Sequence, residues 1–597
     1  MRYKWNLLAT DANLPLMSQV MGISEITANV MANRGIRTKK TAANYLRGNK
    51  PATPVLSPKT GMKDAQKMFD RILAAIQQNE RIIIYGDYDV DGVMSTVILY
   101  KTLLTFNANL DFYIPHREEE GYGLNLSAVN TIKKEGYNLI ITCDNGITAL
   151  EEVQAANDLA MDTIIIDHHE PGFAEVSPEL ELELELELES PVRQDVIPPA
   201  LAIVNPKQAD CPYPFKNLCA AGLTFRLMEE FCNYSGKPEN FLQLHDELLA
   251  LAAIATVCDI VDLQEDNRIL VKQGLAVINA NKRLNSGLFK LIDLKGYTKK
   301  PIDTFTLGFV IGPCINATGR LDSAVSAVRL LISANETEQH ELASKLSALN
   351  EERKELTRLC SDKILQQAAA IPDTVLVLVD EDTHESIAGI VAGRIKDKLH
   401  RPTILLTKSA DADILKGSAR SIEGYNIFEA LFANGDLLAR FGGHAMAAGM
   451  SLTRENADKL RKRLNETCTL QPADLQGILH IDRELQPAEI TVKLATELEW
   501  LAPFGKANPE PLFVTYNLKI LALRDISEKN TLIFTFENGL KGIAFGLNQE
   551  FAAAASLTNT QNTQNMIIDI VHTVETNTYN GKTTAQMRIK DFNLREN

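Results

Sequence analysis

Three short apolar runs, each followed by a polar cluster, constrain the fold of this chain more than any other feature. RIIIYG at 81–86, NLIITC at 138–143 and DTIII at 162–166 have the length of buried strands, and a helical pattern, DGVMSTVILYKTLL, follows the first of them. Strands that alternate with helices favour a parallel α/β sheet. In such a sheet a ligand binds beyond the carboxyl ends of the strands, which is where the polar clusters fall.

The polar clusters contain aspartate and histidine. In GDYDVDG at 86–92 an extended chain would project Asp87, Asp89 and Asp91 to one side. Taken alone, this segment is also explained as a cap of the next helix, because aspartate favours helix N-termini. The next two runs end in similar residues, and the apolar segment ATVCDIVDL adds one more acid, so the set is completed by Asp144, Asp167, His168, His169 and Asp259.

These side chains predict a metal site. Clustered carboxylates repel one another, and a buried carboxylate without a partner is costly. Oxygen-rich ligation with few imidazoles and no thiolate suits Mn²⁺ or Mg²⁺. Two such ions can activate a water and stabilise the leaving oxygen of a phosphodiester. We therefore expect a phosphoesterase with two divalent cations, held by Asp89, Asp91, Asp144, His168 and Asp259.

The rest of the chain predicts further domains, since 597 residues are too many for one ordinary core. Two hairpin signals, Asn538-Gly539 and Asn580-Gly581, lie between alternating runs and indicate a small β-barrel. We expect an N-terminal helical cap at 1–55, the parallel-sheet domain at 56–335 with an insert at 173–195, a long connecting helix at 336–370, a second α/β domain at 371–465 and the barrel at 466–597.

Charge and cysteine content bear on partners and location. The net charge of −16 does not suggest a general nucleic-acid binder, although ELELELELELE at 179–189 holds six of the acidic residues and a metal site concentrates others. No apolar run reaches the ~18 residues of a membrane span. The eight cysteines form no CxxC pair, so we expect reduced thiols in a cytoplasm and no membrane association. No GxxxxGK[ST] occurs, so we expect no ATP dependence.

The motifs resemble the DHH phosphoesterase superfamily, named for the triplet at 167–169, and within it the RecJ family of 5′→3′ exonucleases specific for single-stranded DNA. The resemblance covers nearly the whole chain. Its segments are GDYDVDG (86–92), IPHREEEGYGL (114–124), TCDNG (142–146), DHHEPG (167–172), TVCDIVDL (256–263), GPCINATGRL (312–321), HESIAGIVAGRIK (384–396), GSARS (417–421), FGGHAMAAG (441–449) and LAPFGKANPEP (501–511).

This resemblance implies a DHH domain, a DHHA1 domain and an OB-like barrel that together degrade single-stranded DNA in repair and recombination. It gives the five predicted ligands the same role, makes Asp87 and Asp167 acids that orient them, and places His169 at the scissile phosphate. A helicase and a single-strand-binding protein are the implied partners of a monomer. The residues implied around the 5′ phosphate and on the nucleic-acid face are Arg117, Arg320, Ser418, Arg420 and His444.

Two departures from the family pattern affect the substrate end and leave the metal site unchanged. HESIAGIVAGR lacks the Pro and Gly expected directly after His384, and Cys314 stands where arginine is commoner.

Alternative interpretations stay open from the sequence. Other enzymes of the superfamily act on cyclic dinucleotides, short oligonucleotides or pyrophosphate, although they are generally shorter and lack the barrel. A non-catalytic subunit of the same fold would typically have lost metal ligands. Each arginine has a simpler interpretation as a structural ion pair. The barrel aromatics either stack on bases or form the core: Phe513, Tyr516, Phe534 and Phe536.

Overall fold

The computed structural model describes residues 3–47, 54–57, 59–175, 193–409, 411, 413–537, 539–557 and 566–595. The chain forms two compact units. The first consists of 48–353 and 503–509, and the second consists of 1–47, 354–502 and 510–597. The Glu/Leu run at 179–189 lies outside the described residues.

The secondary structure is mixed throughout. The strands are β1 (Lys4–Leu7), β2 (Arg81–Tyr85), β3 (Asn109–Tyr113), β4 (Leu139–Cys143), β5 (Asp162–Ile166), β6 (Gly172–Glu175), β7 (Arg193–Val196), β8 (Ala202–Val204), β9 (Leu376–Val379), β10 (Thr403–Lys408), β11 (Ile414–Arg420), β12 (Arg440–His444), β13 (Ala447–Thr453), β14 (Ile478–Ile481), β15 (Arg483–Glu484), β16 (Phe513–Ile526), β17 (Thr531–Phe536), β18 (Lys541–Phe545), β19 (Ile567–Tyr579) and β20 (Lys582–Arg595).

The helices of the first unit are Ala65–Gln77, Val90–Leu104, Leu126–Lys134, Leu150–Asp158, Ala220–Tyr234, Pro238–Leu242, His245–Cys258, Glu265–Ala280, Ser286–Leu294, Thr304–Thr306, the π-helix Leu307–Ile311, Gly312–Leu321 and Val325–Ile332. Helix Glu336–Ala369 crosses from the first unit to the second. The second unit contributes Leu14–Met21, Glu25–Asn33, Lys39–Arg47, Glu385–Leu399, Ile427–Phe432, Asn456–Glu466, Val492–Glu499 and Asn548–Leu557.

A five-stranded parallel sheet organises the first unit, in the order β3-β2-β4-β5-β8. Its strands are apolar on both faces: Ile82 and Ile84 pack into one core cluster, whereas Ile83 and Tyr85 pack into another. Burial on both faces explains why these strands read as continuous apolar runs rather than as an alternation. The predicted fold class, a parallel α/β sheet, is confirmed.

The two edge strands, β3 and β8, were not recognised in the sequence. NLDFY in β3 is only partly buried, and AIV in β8 is three residues long. Short or half-exposed strands at a sheet edge carry too few apolar residues to give a clear pattern. The insert predicted at 173–195 begins and ends near β6 and β7, which pair in antiparallel fashion.

The second unit contains two further sheets. A mixed sheet has the order β12-β13-β11-β10-β9, in which β9 and β10 are parallel and the other pairs are antiparallel. Helix Glu385–Leu399 joins β9 to β10, as a parallel connection requires. This is the second α/β domain that the sequence predicts.

The C-terminal strands close into a barrel. Strands β16, β17, β18, β20 and β19 pair in that order, and β19 returns to β16. Asn580 and Gly581 join β19 to β20 with φ values of 49° and 76°, as a two-residue turn of type I′ requires. Asn538, in the other predicted turn, lies outside the described residues. Phe513, Phe534 and Phe536 are fully buried, so these aromatic side chains are barrel core.

The N-terminal segment, predicted as a helical cap, also contributes a strand. Its three helices follow β1, which pairs in parallel with β14. The indole Nε1 of Trp5 donates a hydrogen bond of 2.7 Å to Asp591 in β20. Within the described ranges, the helices are all too short or too polar to span a bilayer.

Candidate metal centre

The acidic loops of the first unit meet at one edge of its sheet. Strands β2, β4 and β5 are parallel neighbours, so the segments that follow their carboxyl ends lie side by side. Asp259 arrives from a distant part of the sequence, because it directly follows helix His245–Cys258. Four chain segments therefore converge on one site.

Asp89 and Asp91 both stabilise helix starts. Asp89 caps helix Val90–Leu104, and its Oδ1 accepts a hydrogen bond of 2.8 Å from the N–H of Asp91. Asp91 in turn accepts hydrogen bonds from the N–H groups of Ala220 at 2.7 Å and Ala221 at 2.8 Å, at the start of helix Ala220–Tyr234. The aspartates of GDYDVDG therefore cap helices. Both carboxylates can still bind a cation, because each has about four lone-pair sites.

The ring of His168 directs its Nε2 atom at three carboxylates. Burial lowers the pKa of His168 to about 3, and neighbouring His169 acts in the same direction, so the ring is neutral at physiological pH. The backbone of Leu218 hydrogen-bonds the ring and leaves Nε2 as an acceptor. The carboxylate oxygens nearest to Nε2 lie at 3.2 Å on Asp144, 3.6 Å on Asp91 and 3.8 Å on Asp259.

Several buried acceptors at this edge have no hydrogen-bond partner among the described residues. They are Oδ1 of Asp87, Oδ1 of Asp144 and Nε2 of His168. Buried polar atoms are normally satisfied, and these atoms face a common space rather than a donor. A divalent cation satisfies several acceptors at once. The donor set therefore fits Mn²⁺ or Mg²⁺.

The carboxylates of this site oppose one another's ionisation. Burial and the charge of Asp89 raise the pKa of Asp91 to about 7. Burial and the charge of Asp91 raise the pKa of Asp259 to about 8. Burial and neighbouring carboxylates also raise the pKa values of Asp87 and Asp144 well above the ordinary range. Such a cluster is ionised at neutral pH only beside a compensating positive charge.

The candidate ligand atoms form overlapping groups in which all atoms lie within 4.8 Å of one another. Asp144 and His168 each belong to two of these groups. Asp87, predicted to orient the ligands, itself lies in a group, so its position is that of a candidate ligand. The groups are Asp87/Asp89/Asp144, Asp91/His168/Asp259 and Asp144/His168/His169.

Asp167 accepts hydrogen bonds from both residues of the histidine pair. Its Oδ1 accepts hydrogen bonds from the N–H of His168 at 2.7 Å and from Nδ1 of His169 at 2.7 Å. Its Oδ2 accepts from the N–H of Ile147 at 3.0 Å, which ties this loop to the loop of Asp144. Burial disfavours the charged ring of His169, yet the hydrogen bond and charge of Asp167 raise the pKa of His169 to about 9.

Tyr122 and the end of β8 were missed by the sequence analysis. The Tyr122 hydroxyl donates to the carbonyl of Asp144 at 2.9 Å and lies 3.2 Å from Nδ1 of His169. Asn205, directly after β8, donates to the carbonyl of His169 at 2.9 Å, and Lys207 Nζ lies 3.2 Å from Glu170. AIVNPK repeats the pattern of an apolar strand followed by polar residues, and a search for shorter strands would have found it.

Known proteins are similar to this chain over most of its length. Three family profiles match: the N-terminal domain of the DHH family at residues 81–256, the DHHA1 domain at 373–470 and the RecJ OB domain at 481–591. The single-stranded-DNA-specific exonuclease RecJ of Bacillus subtilis is 35% identical over 602 residues, which cover 100% of this chain and 71% of that protein. RecJ of Escherichia coli is 33% identical over 542 residues, which cover 87% and 88%. The chain belongs to the RecJ family.

Solved RecJ structures share the fold. RecJ from Thermus thermophilus in complex with Mn²⁺ matches with a TM-score of 0.80 and 27% identity, over 100% of this chain and 80% of that chain. The same protein in complex with Mg²⁺ matches with a TM-score of 0.74 and 25% identity, over 99% and 78%. These relatives bind the two cations that the donor set of this RecJ-family chain fits.

Arg117 and Arg320 both lie near Tyr88, at the rim of the metal centre. The Arg117 guanidinium lies 5.0 Å from the centre of the Tyr88 ring. Gly319 packs so closely that a Cβ there would lie 2.4 Å from the Tyr88 carbonyl oxygen. Burial raises the pKa of Tyr88 to about 12, while the charges of Arg117 and Arg320 oppose that rise. In this RecJ-family chain, two segments far apart in sequence thus bring two arginines to one place.

Ser418, Arg420 and His444 lie together on the mixed sheet of the second unit. Arg420 in β11 and His444 in β12 both pair with Ala447 of the strand between them. Ser418 shares a face of β11 with Arg420, because it lies two residues earlier. A Cβ on Gly389 would lie 2.6 Å from Arg420 Nη2 and 2.8 Å from Ser418 Oγ. Helix Glu385–Leu399 therefore packs closely on this pair at Gly389.

Proposed function

We propose that this chain is a metal-dependent exonuclease that degrades single-stranded DNA from the 5′ end and releases 5′-mononucleotides. The unsatisfied acceptors of Asp87, Asp144 and His168, in a RecJ-family chain, carry the proposal. Its products follow from attack of water on the first phosphodiester and breakage of the bond from phosphorus to O3′. The shortened strand keeps a 5′ phosphate and can enter the next cycle.

The metal ligands are Asp89, Asp91, Asp144, His168 and Asp259, with Asp87 adjacent. Two divalent cations held there would activate a water and stabilise charge on the leaving oxygen. His168 contributes a neutral Nε2, which its bond to the Leu218 backbone orients.

His169 is the proposed contact to the scissile phosphate. Because Asp167 raises the pKa of His169 to about 9, the imidazole is protonated at neutral pH. Its Nδ1–H donates to Asp167, which leaves the Nε2–H to donate to a phosphate oxygen. This charge-assisted bond strengthens as negative charge grows on the phosphate.

Substrate-end recognition is proposed for two groups of residues. In the first unit, Arg117 and Arg320 offer planar guanidinium groups, which bind phosphate through paired hydrogen bonds. In the second unit, Ser418, Arg420 and His444 offer a hydroxyl, a guanidinium and an imidazole at one end of the sheet. Each group is proposed as a phosphate-binding site for the nucleic-acid substrate.

The cellular setting follows from the same proposal. A nuclease for single strands acts after duplex has been opened, so we propose a helicase and a single-strand-binding protein as partners in DNA repair and recombination. We also propose a monomer located in the cytoplasm. All eight cysteines are free thiols, as that compartment favours.

Nuclease assays on end-labelled oligonucleotides test the activity. We expect mononucleotides from the 5′ end of a single strand, in the presence of Mn²⁺ or Mg²⁺, and resistance of blunt duplex. Asp144→Ala should abolish turnover, whereas the surface substitution Asp158→Ala should not. Release from 3′ ends, equal attack on duplex, or turnover confined to dinucleotides and trinucleotides would contradict the proposal. The last result would favour another activity of the DHH superfamily.

A further inference from the structure

The segment Pro503–Pro509, PFGKANP, lies within the first unit although the chain on both sides of it belongs to the second. We propose that this segment, called the strap below, is a positioning element that holds Asp259 in place for metal binding. The inference rests on the proposed function, in which Asp259 is a metal ligand.

The strap binds the turn that follows Asp259. Its Lys506 carbonyl accepts a hydrogen bond of 2.9 Å from the N–H of Leu263. Its Ala507 carbonyl accepts one of 3.1 Å from Nε2 of Gln264. Both donors lie in the connection between Asp259 and helix Glu265–Ala280, so the strap fixes the chain four and five residues after the carboxylate.

The strap also binds the segment that contacts Cys258, the residue directly before Asp259. Its Phe504 carbonyl accepts a hydrogen bond of 2.8 Å from Thr304 Oγ1. Thr304 begins the segment that continues as the π-helix Leu307–Ile311, and the Leu307 carbonyl lies 3.5 Å from Cys258 Sγ. The strap therefore contacts Leu263 and Gln264 directly, and it reaches Cys258 through the segment that begins at Thr304.

The strap is itself well ordered by internal bonds. Gly505 and Asn508 exchange two backbone hydrogen bonds of 2.9 and 3.1 Å, and the buried Asn508 amide donates to the Pro503 carbonyl at 2.7 Å. There is no space at Gly505, because a Cβ there would lie 2.7 Å from Leu263 Cδ1. A rigid loop can transmit a fixed geometry to the turn that it binds.

Asp259 needs such support more than Asp91 and Asp144. Its side chain is 23% exposed, whereas those of Asp91 and Asp144 are 0% and 4% exposed. The next residue, Ile260, is exposed and has φ of 56°. A β-branched residue avoids this left-handed conformation, so surrounding contacts must maintain it. The strap hydrogen-bonds Leu263 and Gln264, three and four residues after Ile260.

Mn²⁺ affinity of the full-length chain tests the proposal, measured from the EPR signal of free Mn²⁺. Gly505→Ala adds a methyl group that would clash with Leu263. Thr304→Val removes one hydrogen bond to the strap with little change in side-chain shape. Each is expected to weaken Mn²⁺ binding about tenfold, the lower end of the effect of residues that orient metal ligands. Nuclease activity should recover as Mn²⁺ is raised. Asp158→Ala, the exposed surface substitution used above, is the control.

The outcomes separate the strap from the proposed function. If both variants keep the Mn²⁺ affinity of the wild type while Asp259→Asn weakens it, the strap has no positioning role, and the proposed function still stands. If Gly505→Ala does not fold, the near-isosteric Thr304→Val decides by itself. A wild-type chain that binds no Mn²⁺ would overturn the proposed function and the strap with it.

Discussion

The Nε2 atom of His168 lies 3.2 Å from the Oδ1 atom of Asp144, and neither has a hydrogen-bond partner within the described part of the chain. Because His168 is neutral and its ring is hydrogen-bonded by the Leu218 backbone, Nε2 has no proton to donate to Asp144. Two acceptors at this distance are unfavourable by themselves and favourable around a cation. This contact links β4 to β5 and forms the centre of the site.

Metal binding should stabilise the fold. We expect Mn²⁺ to raise the melting temperature of the EDTA-treated chain, because a ligand at 100 times its Kd adds about 2.7 kcal/mol per site. His168→Ala should reduce this increase, whereas His340→Ala, on an exposed helix position, should not. Differential scanning calorimetry across a Mn²⁺ titration measures the effect. A His168→Ala chain with the full increase would show that His168 is not a ligand.

Asp167 should support catalysis through His169 rather than through metal binding. Asp167→Asn weakens its hydrogen bonds and removes the charge that keeps His169 protonated. We expect kcat to fall by about 10- to 100-fold, with a smaller change in KM for single-stranded DNA. Mn²⁺ stoichiometry should be retained. Steady-state kinetics beside Asp158→Asn, a surface control, measures the difference. Equal kcat in the two variants would exclude the role given to Asp167.

The rim arginines should select the end of the strand. Arg117→Ala and Arg320→Ala each remove a guanidinium beside Tyr88, so we expect KM for a 5′-phosphorylated strand to rise about tenfold, in line with the loss of a charged hydrogen bond. KM for a strand with a 5′ hydroxyl should change less. Arg283→Ala, whose guanidinium lies over Phe289, is the control. A uniform rise for both strands would indicate general phosphate binding instead.

His572 should make the barrel less stable at low pH. Burial lowers the pKa of His572 to about 4, below the ordinary value of 6.5. Between these values the unfolded chain binds a proton that the folded barrel excludes, so stability is complete above about pH 6.5 and falls towards pH 4. The slope approaches ~1.4 kcal/mol per pH unit.

The barrel's pH dependence can be measured locally. Hydrogen exchange of β19 amides in urea, at pH 7 and 5.5, reports the stability of this strand. His572→Gln should flatten the dependence, and His480→Gln, on an exposed position of β14, should keep it. The same slope in His572→Gln and wild type would assign the pH dependence to other groups.

Several elements were predictable because their signal is local. The fully buried strands β2, β4 and β5 are short apolar runs, and their neighbours in sequence carry the polar clusters. Asn580-Gly581 specifies a two-residue turn because both residues tolerate positive φ. The edge strands β3 and β8 gave weaker patterns, so the contribution of Asn205 and Lys207 at the end of β8 was missed.

The sequence by itself determined which side chains gather at the sheet edge, because parallel strands place their carboxyl ends together and leave no other position for Asp87, Asp144 and His168. Only the tertiary structure decided how Asp259 joins them, how Arg117 and Arg320 both come near Tyr88, and why the strap belongs to the first unit. These relationships join segments that are distant in sequence. They depend on packing of helices and on hydrogen bonds between loops, and neither leaves a periodic pattern in the chain.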